Sequence, residues 1–362
     1  MDLNFLRPLY EAPGPIASVH LDTTRDTEDA EKKIELRWRA LRERLAGDGA
    51  DEATLDALEE RAGGVRGVPG PQGEALFAAR GRVLAVHTMA RPPARDHATW
   101  LPVPDPLDLV VDRDHQLPCV VVAIDREGAD VDAYEAAGHD PVSERSFNGT
   151  TLHIQKVNAG GFAESRYHRH AENVWDDNAE HAAREVENAV ADVGAAVVFV
   201  GGDERAIGLL RSHLDKLDPP VVVIPGGRAD ASDRLREALD RALDDAMVAA
   251  HDAVLADLRA RVPQGTAVEG ADATLRALSE GRVETLLLGA DRETDGWLWA
   301  SPDVPLLLGA GPAVFDRPDI AFTAPGSALM LRSAVLGDAA FTELLDHGAA
   351  TTGTAATLRF TL

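Results

Sequence analysis

Residues Cys119-Val-Val-Val-Ala-Ile124 form an unbroken apolar run, without the polar alternation of a half-exposed strand. Such a run fits a strand buried on both faces, so it needs covering layers on either side of its sheet. The surrounding sequence alternates accordingly. Strand signals stand at Ile16–Leu21, Val83–His87, Ala129–Tyr134, Thr151–Gln155, Val197–Val200 and Val221–Ile224. Helical periodicity marks about Thr27–Ala46, Phe162–Val193, Arg205–Leu214 and Ser232–Arg261. The rhythm continues as helix Ala271–Glu280, strand Val283–Leu288, helix Ser327–Leu336, strand Phe341–Leu345 and a last strand Ala355–Phe360. Strands alternating with helices predict an α/β layered fold. The Pro-rich run Arg91–Pro106 reads as a linker or an extended edge. The expected domains are an N-terminal α/β domain over residues 1–112, a middle domain over 113–248 and a C-terminal α/β domain over 249–362.

Charge narrows the function classes. The chain has 61 acidic against 36 basic residues, a net charge of −25, and its lysines are Lys32, Lys33, Lys156 and Lys216. A field of that sign repels polyanions at long range, which argues against a non-specific DNA coat or an anionic-membrane binder. Contact with nucleic acid would have to be local and made by arginine. The single Cys119 excludes a disulfide framework and zinc-thiolate sites and fits a reducing compartment. The chain lacks a basic, then apolar leader, and no stretch approaches the ~18 apolar residues of a membrane span. A cytoplasmic protein is expected, with no membrane and no DNA partner.

Common catalytic fingerprints fail. No glycine precedes any lysine as a P-loop requires, and Gly309-Ala-Gly311 has no third glycine. Ser327 lies in Pro325-Gly-Ser-Ala328, not in a nucleophile elbow. His170-Ala-Glu172 lacks the cysteine pair of a zinc deaminase. No cofactor, no metal and no catalytic residue are expected. Asp125, Asp130, Asp132 and Asp203, near strand ends, could gather cations in a two-metal nuclease or simply face solvent in turns.

The segment Lys156–His170 is more distinctive. Gly160 and Gly161 separate an expected strand from the long helix and let the backbone approach a partner closely. The helix N-terminus behind them offers unpaired N–H groups and a positive dipole end. Lys156, Arg166 and Arg169, with His168 nearby, make this tip basic, whereas the next turns carry Glu172, Asp176, Asp177, Glu180, Glu185 and Glu187. Phe162 and Tyr167 offer faces for base stacking or for packing. In the first helix Arg37, Arg39, Arg42 and Arg44 form either a solvated charged face or an RNA-facing strip.

A strand, a Gly-Gly loop and a long helix beginning Phe162-Ala-Glu-Ser-Arg-Tyr-His-Arg169 resemble the middle domain of archaeo-eukaryotic class 1 release factors and their bacterial relatives. Cys119–Tyr134 resembles that domain's opening hairpin. Residues 271–288 resemble the start of its C-terminal α/β sandwich, itself similar to kink-turn-binding ribosomal proteins. The resemblance implies a three-domain release-factor-like architecture with a mixed sheet in the middle domain. Within the family the chain is most similar to an actinobacterial branch related to the ribosome hibernation factor Balon. That resemblance implies occupancy of the ribosomal A site, contact with rRNA, and elongation factor Tu as a partner. Lys156, Asn158, Gly160, Gly161, Phe162, Arg166, His168 and Arg169 are then the expected RNA-contact loop, and Arg37, Arg39, Arg42 and Arg44 the small-subunit contacts. Release factors place a glutamine after the two glycines to position water. Here the position is Phe162, which implies docking without hydrolysis. The alternatives are a peptidyl-tRNA hydrolase and a metal-dependent tRNA nuclease using Asp125.

Overall fold

The computed structural model describes residues 1–65, 71–125, 127–135, 143–148, 162–226, 233–345 and 353–360. They fall into two compact units, one of residues Met1–His115 with Ala250–Leu362 and one of Gln116–Ala249.

The N-terminal part of the first unit contains α1 (Arg7–Glu11), β1 (Ile16–Asp22), α2 (Ala30–Gly47), α3 (Glu52–Glu59), β2 (Gly73–Ala79), β3 (Arg82–Met89), β4 (His97–Leu101) and α4 (Leu107–Asp114). Its sheet runs β3-β2-β1-β4, with antiparallel neighbours. Alternation along the strands divides the core. Ala17, Val19, Leu21, Leu76 and Ala78 pack on Ile34, Trp38, Leu41, Leu45, Leu55 and Leu58 of α2 and α3. On the other face Ile16, Ala75 and Phe77 join Leu3, Leu6 and Leu9. The run Arg91–Pro106 therefore holds an edge strand rather than a linker. α2 starts at Ala30, three residues after the expected Thr27, because Thr27 contributes a backbone carbonyl to the turn before the helix.

The second unit holds β5 (Cys119–Ile124), β6 (Gly128–Tyr134), β7 (Ser143–Asn148), α5 (Phe162–Val193), β8 (Val197–Gly202), α6 (Glu204–His213) and β9 (Val221–Val223). The sheet order is β7-β6-β5-β8-β9, antiparallel from β7 to β5 and parallel from β5 to β9. This is a mixed sheet with β5 at its centre, and Val120, Val122 and Ile124 are buried against Ala182, Ala183, Val186 and Ala189 of α5. Those small side chains recur at helical spacing and let the helix lie close to the sheet. The opposite face, Cys119, Val121, Val197 and Phe199, is covered by Ala238, Leu239 and Leu243 of α7 (Asp233–Arg261).

Beyond residue 250, α7 turns Leu255 and Leu258 to Leu287, Leu344 and Ala355. There follow β10 (Ala267–Glu269), α8 (Ala271–Ser279), β11 (Val283–Leu288), β12 (Trp297–Ala300), β13 (Leu308–Gly309), β14 (Phe322–Pro325), α9 (Gly326–Leu336), β15 (Ala340–Glu343) and β16 (Thr354–Leu358). One sheet runs β10-β16-β11-β15, and a smaller one runs β13-β12-β14. Leu286, Leu329, Phe341 and Leu358 share a core with Leu3, Leu6, Leu9 and Phe77. The architecture is α/β, with two mixed sheets and two antiparallel ones among the described residues. No described helix is long and apolar enough to cross a membrane.

Candidate functional site

The helix that the sequence places behind the glycine loop is present over Phe162–Val193. Lys156, Asn158, Gly160 and Gly161 lie outside the described residues, as does the expected strand Thr151–Gln155. Phe162 opens α5, and Arg166, His168 and Arg169 fall on its first turns. Further along, two of the acidic positions are anchored to other elements. Asp176 accepts from His213 Nε2 at 2.9 Å, and Glu185 accepts from Arg145 Nη1 at 3.2 Å. Arg145 is on β7 and also pairs with Asp192, so the helix is fastened to the edge strand. Sequence reading did not anticipate β7, because Ser143-Glu-Arg-Ser-Phe-Asn148 carries little apolar periodicity.

The four arginines of α2 are all engaged with carboxylates. Arg37 pairs with Asp22 at 2.8 Å and Asp96 at 3.3 Å, and Arg39 pairs with Glu35 at 3.0 Å. Arg42 reaches Glu52, Asp56 and Glu59 at once, and Arg44 lies 3.9 Å from Asp48. The side chains of Arg39 and Arg44 are 60% and 62% exposed, those of Arg37 and Arg42 only 33% and 27%.

The carboxylates considered for metal chemistry have structural uses. Asp125 Oδ1 accepts from the backbone N–H of Glu127 at 2.7 Å and of Gly128 at 2.8 Å, closing the β5–β6 turn. Asp203 caps α6, accepting from Arg205 N at 3.1 Å and Ala206 N at 3.2 Å. Asp130 and Asp132 stand within β6, not at its ends, on the face away from Ala129, Val131 and Ala133. Among the described residues no three of these carboxylates come close enough to share an ion.

A different polar cluster sits in the first unit. His20 of β1 and His97 of β4 are register partners, their rings stacked 4.6 Å apart at 13°. Asp108, on the first turn of α4, lies 3.5 Å from His97 Nε2. Arg292 Nε donates to Asp108 Oδ2 at 2.7 Å. Its Nη1 and Nη2 donate to the two oxygens of Asp105 at 2.8 and 3.1 Å. His20 and Asp105 are fully buried. Burial pushes the His20 imidazole down to about 3, against the pull of Asp108, so the ring is neutral. Burial alone would raise Asp108, but the Arg292 guanidinium that faces it and donates to it holds it below the usual carboxylate range. Positions 20, 97, 105, 108 and 292 are too far apart in the chain for local spacing to have revealed this group. The one available hint was His20 inside the strand-like run Ile16–Leu21.

Architecturally, the second unit is an α/β domain in which a mixed sheet carries a long helix that begins at Phe162. Residues 118–264 match the model of bacterial archaeo-eukaryotic release factor family 2, so the resemblance read from the sequence is borne out at the level of the family. The chain is 29% identical over 297 residues to Rv2629, an uncharacterized protein of Mycobacterium tuberculosis, covering 78% of this chain and 77% of that protein. Among solved structures, it is similar to S. cerevisiae Dom34, a translation termination-like factor, at 10% identity and a TM-score of 0.41, covering 80% and 79% of the two chains. It is also similar to Archaeoglobus fulgidus Pelota at 15% identity and a TM-score of 0.32, with the same coverage.

Proposed function

We propose that this protein is a ribosome-binding translation factor that occupies the A site without releasing the nascent chain, acting in hibernation or stress. The observation that carries the reading is the family match over residues 118–264, inside which Phe162 directly follows Gly160-Gly161 and opens α5. Phenylalanine neither donates nor accepts a hydrogen bond, so it cannot hold a water against an ester. The basic tip, with Lys156, Arg166 and Arg169, offers a local RNA contact on a chain whose net charge of −25 discourages indiscriminate binding. In this reading the three domains 1–112, 113–248 and 249–362 face the small subunit, the large subunit and a GTPase partner of the elongation factor Tu type. Arg39 and Arg44, the most exposed of the four helix arginines and with one carboxylate each, exchange that partner for phosphate most readily. The relation to the Balon branch, and action in the cytoplasm, belong to the same proposal.

Sedimentation of the purified chain with vacant ribosomes is expected to show co-migration at low salt that weakens when Arg166 and Arg169 are both changed to Glu. Absence from the ribosomal fraction overturns the proposal. Labelled peptidyl-tRNA on stalled ribosomes separates it from a hydrolase: the wild-type chain is expected to release nothing. Release that is lost on changing Gly160 or Gly161 would replace this reading with that of a peptidyl-tRNA hydrolase.

A further inference from the structure

The cluster around His20 contains three side chains whose ligand atoms all lie within 4.8 Å of one another: two imidazoles and one carboxylate. We propose that His20, His97 and Asp108 form a binding site for a divalent first-row transition metal ion of the zinc type, with Asp105 and Arg292 as its outer support. The site lies in the unit outside residues 116–249 and does not depend on ribosome binding.

Several independent observations converge on it. His20 is fully buried, and among the described residues neither of its ring nitrogens has a hydrogen-bond partner. Buried polar atoms almost always have partners, so two orphaned nitrogens on one ring call for one. His97 Nε2 is also without a hydrogen bond, its 3.5 Å approach to Asp108 being too long for a good one. Histidine nitrogens with a carboxylate oxygen are the donor set of zinc-type ions, whereas magnesium and calcium prefer oxygen alone. Ligand atoms around a tetrahedral zinc ion with bonds of about 2.1 Å lie about 3.4 Å apart. Closing from 4.8 Å therefore needs side-chain adjustments of the order of 1 Å. The stacked rings must also turn about their Cβ–Cγ bonds so that both lone pairs converge, and that torsion is broad for histidine.

Charge and support agree. The carboxylates of Asp105 and Asp108 against the single Arg292 guanidinium leave a net −1 beside the two imidazole rings, a favourable setting for a dication. Metal-bound carboxylates are commonly held by a further hydrogen bond, and Arg292 donates that bond to Asp108 while Asp105 fixes Arg292. The His97 and Asp108 side chains are 15% and 18% exposed, which gives an ion a way in past the buried His20. Three protein ligands leave a fourth position for water or another donor.

The test uses the full-length chain, first stripped with a chelator and then titrated calorimetrically with Zn²⁺ alone. The expected result is one ion per chain. His97→Gln and Asp108→Asn should each weaken binding by at least the ten- to hundred-fold that loss of an outer partner costs. Asp125→Asn should leave it unchanged. Co²⁺ added to the unaltered chain should give the visible absorption bands of a tetrahedral nitrogen and oxygen site, a readout that requires no substitution to fold. Absence of stoichiometric Zn²⁺ binding, absence of the Co²⁺ bands, or affinity unaltered in folded His97→Gln and Asp108→Asn chains overturns the proposal. Ribosome co-sedimentation of the stripped chain is read separately, so either proposal can fail without the other.

Discussion

Along β8 of the 116–249 unit, Val197, Val198, Phe199 and Val200 are buried in succession with no polar side chain between them. Along β1 of the other unit, Ser18 and His20 are buried just as deeply among Ile16, Ala17, Val19 and Leu21. The contrast extends through both. Among the described residues of 116–249, Asn178 is the one buried polar side chain, while the other unit buries Asp105, Asp112, Asp114, His251, Arg332 and Glu343. Apolar burial is non-directional and tolerates many side chains of the right volume. Buried charges persist only when paired, and losing one partner strands the other. The 116–249 unit is thus held by packing and close backbone approach, the other by packing together with a set of specific polar pairings.

The largest expected effect tests the close approach. Gly202 has φ of +146°, and a Cβ there would lie 1.7 Å from the carbonyl oxygen of Ile124 on the neighbouring strand. Gly202→Ala should destabilise the chain by more than about 4 kcal/mol, seen as a collapse of the urea midpoint. A midpoint near that of the unaltered chain would mean that β5 and β8 yield easily. Next comes the polar pairing. Asp114 Oδ2 accepts from His251 Nε2 at 3.0 Å and from Glu343 N at 2.7 Å. Asp114→Ala should cost about 3–5 kcal/mol by the same measurement, with Asp114→Asn recovering part of it. A smaller pair of substitutions sharpens the contrast. Val200→Thr places a hydroxyl in the apolar core and should cost about 1–3 kcal/mol. Thr274→Val removes a buried hydroxyl that has no hydrogen-bond partner among the described residues, and should be neutral or stabilising by up to about 1 kcal/mol. Equal costs for the two would erase the distinction between the cores.

The smallest effects are slopes against pH. Burial, then the Arg113 charge, lowers His87 in β3 from 6.5 to about 4. Between those values the unfolded chain binds more protons, so His87 makes stability fall as pH drops from about 6.5 to about 4. Burial raises the Cys119 thiol in β5 from 9.0 to about 11. Here the folded chain keeps its proton longer, so stability falls as pH rises from about 9 to about 11. His87→Leu should flatten the acid slope and Cys119→Val the alkaline one, each measured by urea unfolding across its window. A variant that alters the wrong arm would break the assignment of acid sensitivity to one unit and alkaline sensitivity to the other.

Legibility in the sequence followed the same division. α5 and α7 were readable nearly to their ends because apolar residues recur every three or four positions over many turns. β5 was readable because six apolar residues stand in a row. Short elements that depend on their surroundings were not. α3 is eight residues long and is started by Asp51, whose side chain accepts from Thr54 N. β2 reads Gly-Glu-Ala-Leu-Phe-Ala-Ala and is a strand because β1 and β3 flank it. The small sheet β13-β12-β14 left no periodic trace. For the site, the glycine pair and the helix behind it were visible as a local string. The His20 cluster was not, because it is assembled by register between β1 and β4 and by an arginine almost two hundred residues further on.

The core shared by Leu3, Leu6 and Leu9 with Leu329, Phe341 and Leu358 has a consequence for the order of events during synthesis. The 116–249 unit is one uninterrupted stretch, so every strand it needs has emerged soon after residue 249 has been made. The other unit must wait: β16, which lies between β10 and β11, is its last strand to appear. Domains of a growing chain generally fold as units and from the N-terminus onward. Here that sequence is inverted, and the segment made first is the one completed last. During that interval Leu3, Leu6 and Leu9 remain without their distant partners Leu329, Phe341 and Leu358.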